Sequence, residues 1–190
     1  MSHSANVLVA GLGSPHGDDQ AGWLVAEQVL KNVSGTLEAS EAQEENLMSE
    51  SSRQLFPQVI VRRAMIPLDV LDWLEGVDVL HICDACESTS GYWKLHRSSF
   101  EAGRFVSPNA ASDVALYSAL NSLRCRGSHN FELPDVLRLA ATTRLLPKRV
   151  IVWAIEGTCF QPEDVLSDMT RNTALQAADE ILKELRLHHA

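Results

Sequence analysis

The apolar run Asn6-Val-Leu-Val-Ala10 passes into a glycine-studded turn, Gly11-Leu-Gly-Ser-Pro-His-Gly-Asp-Asp-Gln-Ala-Gly22, and then into the helical pattern Trp23-Leu-Val-Ala-Glu-Gln-Val-Leu30. Strand, turn and helix in that order put the turn at the carboxyl edge of a sheet, where open α/β folds build their sites. Two adjacent carboxylates, Asp18 and Asp19, occupy this turn. A phosphate-binding loop would keep its amides free for an anion, so the pair favours a cation or a polar substrate over a nucleotide. The spacing agrees: a G-x-G-x-x-G fingerprint from Gly11 needs glycine at His16, and no G-x-x-x-x-G-K-[ST] loop exists.

The rest of the chain repeats the alternation. After a first helix over roughly Asp19 to Lys31, the acidic, serine-rich stretch at about 38–53 reads as a surface loop or a partly disordered excursion, with room for a helical turn. Gln58–Arg63 is predicted as a second strand, Leu68–Leu74 as a short helix ended by Gly76, and Val77–Cys83 as a buried third strand. Tyr92–His96 reads as a short edge strand, open to antiparallel pairing, and Ala110–Leu123 as a helix. A helix from Pro134 to about Arg144, a last strand Arg149–Ile155 and a closing helix from Thr170 to about Leu187 complete the series. The expectation is a single α/β domain over 1–190: a three-layer sandwich with a mainly parallel central sheet and helices on both faces.

Composition narrows the function classes. A formal net charge of −9, with Lys and Arg scattered, argues against nucleic acid as a partner. No apolar run approaches the ~20 residues that span a bilayer, and the polar start is no signal peptide, so a cytoplasmic protein with reduced thiols is expected.

Four acidic or imidazole side chains stand out, each with an ordinary alternative. Asp18 and Asp19 suit a helix N-cap and first turn, but capping accounts for one more readily than for both. Asp84 follows an apolar strand, where a turn-forming aspartate is common. His129, in Ser128-His129-Asn130 ahead of a helix, could be loop surface. Taken together, two carboxylates and an imidazole match the oxygen and nitrogen donors of a divalent transition metal. Cys83-Asp-Ala-Cys86 is formally C-x-x-C, which raises a redox or zinc protein as a weaker reading. Asp84 beside Cys83 opposes a reactive thiolate, and Cys125 and Cys159 form no second pair.

With these residues assembled, the chain resembles the nickel–iron hydrogenase maturation endopeptidases over nearly its whole length. The shared features are Gly11-Leu-Gly-Ser14 leading to Asp18-Asp19 and Gly22, the strand ending in Asp84-Ala85 with Gly91 after it, Ser128-His129 ahead of Asp135-Val-Leu137, and Ala154-Ile-Glu-Gly157 before a long last helix. The resemblance implies an α/β endopeptidase that removes the C-terminal extension of a hydrogenase large-subunit precursor after nickel insertion. It implies Asp19, Asp84 and His129 as metal-binding and catalytic residues, with Gly11, Gly13, Ser14 and Asp18 along the substrate groove. The nickel would be supplied by the substrate, and another divalent metal could substitute. The chain departs from the family pattern at Ser14, where asparagine is usual, at Asp19, often a glutamate, and in longer segments at Phe100–Gly127 and Glu38–Ser52. A non-catalytic binding module or assembly chaperone of the same fold is the alternative.

Overall fold

The computed structural model describes residues 5–44, 58–88, 93–102 and 132–187. Their strands form one five-stranded sheet in the order β2-β1-β3-β5-β4, with β1 Val7–Leu12, β2 Val59–Ala64, β3 Val79–Glu87, β4 Leu95–Glu101 and β5 Arg149–Gly157. β1 lies parallel to β2 and β3, and β3 parallel to β5. β4 pairs antiparallel to β5 at the edge. Val, Ile and Leu fill the central strands because parallel strands covered on both faces see no water on either side.

Side-chain alternation sorts the core into two halves. Val7, Val9, Cys83, Ala85, Ile151, Trp153 and Ile155 pack on one face with α1 (Ala21–Glu44) and the closing helix, Asp168–Leu187. Leu8, Ala10, Leu12, Leu80, Ile82, Val150 and Val152 pack on the other with the 3-10 helix Pro67–Trp73 and with α2 (Leu133–Thr142). The closing helix is α3. The layered α/β arrangement read from the sequence is present.

Several boundaries differ from expectation. The first helix is preceded by a 3-10 turn, Gly17–Gln20, and α1 runs on to Glu44. The expected surface excursion at 38–53 therefore begins as helix, because Ala, Leu, Glu and Gln favour helix whether or not they make an apolar stripe; residues 45–53 lie outside the described residues. β3 continues through Glu87, so Asp84 sits inside the strand and not in a turn after it. The edge strand starts at Leu95 and is longer than expected. The predicted helix at Ala110–Leu123 and the loop with His129 also lie outside the described residues.

Candidate functional site

The strand order fixes where a site can form. From β1 the chain goes through α1 to β2 on one side; from β3 onward it builds the other side, toward β5 and β4. The switch between these directions lies between β1 and β3, and ligands of open α/β sheets bind at that crevice, beyond the carboxyl ends of the strands. Asp19 follows the end of β1, and Asp84 lies in β3 one residue past Cys83, which pairs with Gly11 near the end of β1.

Backbone contact seats the acidic turn on this edge. A Cβ added at Gly22 would stand 2.1 Å from the Leu12 carbonyl oxygen and 2.4 Å from that of Cys83. Only glycine lets the start of α1 lie on the ends of β1 and β3 together. Gly13 repeats the device: its φ is +155°, and a Cβ there would stand 2.1 Å from the Asp19 carbonyl oxygen.

The two adjacent aspartates have parted. Asp18 is fully buried. Its Oδ2 accepts hydrogen bonds from the amides of Thr158 at 2.8 Å and Cys159 at 3.1 Å, and its Oδ1 accepts one from the Ser167 amide at 2.8 Å. The side chain thus fastens the β5–α3 connection to the turn after β1, and Gly157 leaves room for it, since a Cβ there would lie 2.6 Å from that of Asp18. Burial pushes the Asp18 carboxyl up, but the amide bonds outweigh it and hold the group below its ordinary value. Asp18 and Asp19 both lie in the first turn of the 3-10 segment, as their residue type favours, but the Asp18 carboxylate is buried and bonded to the amides of the β5–α3 connection. Gly11 is likewise enclosed: a Cβ on it would stand 2.1 Å from the Gly22 carbonyl oxygen. Gly13 is buried, while Asp19 and Ser14 keep partial exposure beside it.

Asp84 is 6% exposed, and alternation in β3 turns it to the α2 side of the sheet. Cys86 and Glu156, register partners, project on the same side. Burial, then Glu156 and Asp84, push the Cys86 thiol up to about 12, and burial raises Cys83 as well. Three positions apart in a strand, the two cysteines point to opposite faces, which removes the disulfide and shared-zinc readings of C-x-x-C. Among the described residues no group of three or more His, Cys, Asp or Glu side chains is arranged to hold a metal ion.

His129 lies outside the described residues, but Glu132, three positions later, immediately precedes α2. α2 leads through a short connection to the amino end of β5, so its own first turn is at the carboxyl edge, on the face to which Asp84 turns.

A cluster that sequence reading missed lies on that face. His96 of β4 bonds through Nε2 to Glu156 Oε1 at 2.9 Å, and Ser88 Oγ donates to Glu156 Oε2 at 3.0 Å. His96 and Ser88 stand 60 and 68 positions from Glu156, and no local motif marks the meeting.

No protein-family profile matches the chain. No curated protein matches it in sequence. Solved structures do match in fold. A hydrogenase 2 maturation peptidase from a Thaumarchaeota archaeon is 21% identical, with 95% of this chain and 97% of that one covered and a TM-score of 0.54. An Escherichia coli endopeptidase is 17% identical, with 95% and 92% covered and a TM-score of 0.58. The NiFe hydrogenase maturation protease HycI from Thermococcus kodakarensis KOD1 is 14% identical, with 97% and 95% covered and a TM-score of 0.56. The chain has the fold of hydrogenase maturation proteases over about 95% of its length.

Proposed function

We propose that this protein is an endopeptidase that removes the C-terminal extension of a nickel–iron hydrogenase large-subunit precursor, acting in the cytoplasm once nickel is in place. One observation carries the reading. The turn bearing Asp19 and the strand end bearing Asp84 share the switch-point edge of a fold that hydrogenase maturation proteases also have.

In this reading Asp19, Asp84 and His129 engage the nickel that the precursor already holds, so the metal belongs to the substrate. Two carboxylates and an imidazole suit a divalent ion that keeps other ligands of its own. Engagement registers the scissile peptide against the sheet edge, which converts recognition of a completed metal centre into positioning of the bond to be cut. Gly13 and Ser14 flank Asp19 and border the path of the tail; Asp18 serves by holding the turn in place.

The test mixes purified protein with nickel-loaded precursor and follows the released C-terminal peptide by mass spectrometry. Asp84→Asn and His129→Ala are expected to fold normally and release no peptide. Normal release by either variant removes the metal-engagement reading, whereas binding of the precursor without release by the unaltered protein identifies a chaperone instead.

A further inference from the structure

The ladder places Asp84, Ala154 and His96 in one row across β3, β5 and β4. With strands about 4.8 Å apart, the backbones at Asp84 and His96 stand about 10 Å from each other, with Ala154 at the register position between them. His96 projects to the same side as Asp84, since it meets Glu156, whose side alternates with that of Trp153 and Ile155. The row therefore holds a buried carboxylate and a half-exposed imidazole on one face, two strands apart, with a small side chain at the position between them.

The imidazole is held as a base is held. The Glu156 side chain is 7% exposed and that of His96 is 41% exposed. A buried carboxylate bonded to one ring nitrogen fixes the ring's orientation and tautomer, and it stabilises the cation that forms when the other nitrogen takes a proton. Ser88 braces the carboxylate from beyond the end of β3, and its amide donates to the Gly157 carbonyl at 2.9 Å.

We propose that His96, oriented by Glu156, is the general base of the hydrolysis, an inference that rests on the peptidase reading above. Water attacks the scissile carbonyl carbon while His96 Nδ1 takes one of its protons. The carbon–nitrogen bond then breaks, and the same nitrogen returns the proton to the leaving amine. One water is consumed and no other reactant is needed. Glu156 is a positioning residue in this step.

Among the described residues, the titratable groups on this side are few. β5 contributes Glu156, and β3 contributes Asp84 and Cys86, whose raised thiol stays neutral. Glu132 and Asp135 stand at the first turn of α2. On β4 itself, Arg97 turns to the opposite face, its guanidinium 5.4 Å from the Trp153 ring centroid and paired with Glu184. Lys94, one residue before β4, gives its carbonyl to the Glu156 amide at 3.0 Å. Among the described residues, Glu156 is the acid bonded to the His96 ring, and Arg138 of α2 is paired with Asp135.

The experiment measures release of the C-terminal peptide from nickel-loaded precursor against pH for the unaltered protein, His96→Gln, Glu156→Gln and Asp84→Asn, with melting temperatures as the folding check. His96→Gln should lower kcat by about 100-fold or more at unchanged KM, and the fall in rate on the acid side should vanish. Glu156→Gln, nearly isosteric, should lower kcat by a smaller factor at unchanged KM. An unchanged rate and pH profile in His96→Gln, with Asp84→Asn inactive, overturns the base while leaving the peptidase reading intact. An active Asp84→Asn instead overturns the reading beneath it. Should His96→Gln fail to fold, Glu156→Gln decides: full kcat in that variant refutes the dyad.

Discussion

The two acidic edges of the candidate site are built in opposite ways. The turn after β1 is held by exceptions: glycines where no Cβ fits, and a buried aspartate that spends its charge on three amides of another connection. The end of β3 is held by regularity, because the ladder from Val79 to Glu87 runs unbroken beside β5 and carries Asp84 as one of its rungs. A position set by a few specific contacts fails when one contact is removed, whereas a position set by a ladder survives the loss of a side chain.

That contrast can be broken experimentally. Asp18→Ala leaves three amides without their acceptor and should cost about 3–5 kcal/mol. Melting temperature should fall by roughly 10 °C, with hydrogen exchange quickening at Thr158, Cys159 and Ser167. A loss no larger than that of Asp84→Asn would end the distinction. Gly22→Ala forces a methyl against two carbonyl oxygens and should cost about 1–3 kcal/mol, read as a lower denaturant midpoint. Asp84→Asn, by contrast, should stay within a few degrees of the parent melting temperature.

Acid sharpens the same point. Because the Asp18 carboxyl sits below its ordinary value near 3.8 in the folded state, its contribution is complete above that value and fades as pH falls further. As pH falls below about 3.8, the stability of the parent should therefore drop more steeply than that of Asp18→Asn, which lacks that pH-dependent part, so the gap between the two narrows in acid. The smallest effect is expected at the cysteines. Thiol titration should find Cys83 and Cys86 reduced after mild oxidation, and serine at both should leave peptide release intact.

Much of the fold was legible because its signals are local. Apolar runs of strand length and helical repeats predicted the parallel core, and the placement of Asp18-Asp19 after β1 needed only the order of elements. The errors have local causes as well: Cys83-Asp84 looks like the end of a strand because a charge interrupts the apolar run, yet β5 offers partners through Gly157 and the ladder continues. The long reach of α1 was hidden by a lack of apolar periodicity, although the residues themselves favour helix.

The sequence alone determined that alternating strands and helices would bring acidic side chains to one edge of a mostly parallel sheet, since that follows from periodicity and connection rules acting over a few residues. Which of two neighbouring aspartates is buried was decided only in three dimensions, by amides 140 positions away along the chain. The meeting of His96 with Glu156 was decided in the same way, by the register between β4 and β5. Burial and hydrogen bonding belong to the places where distant segments touch, and no stretch of sequence contains both partners.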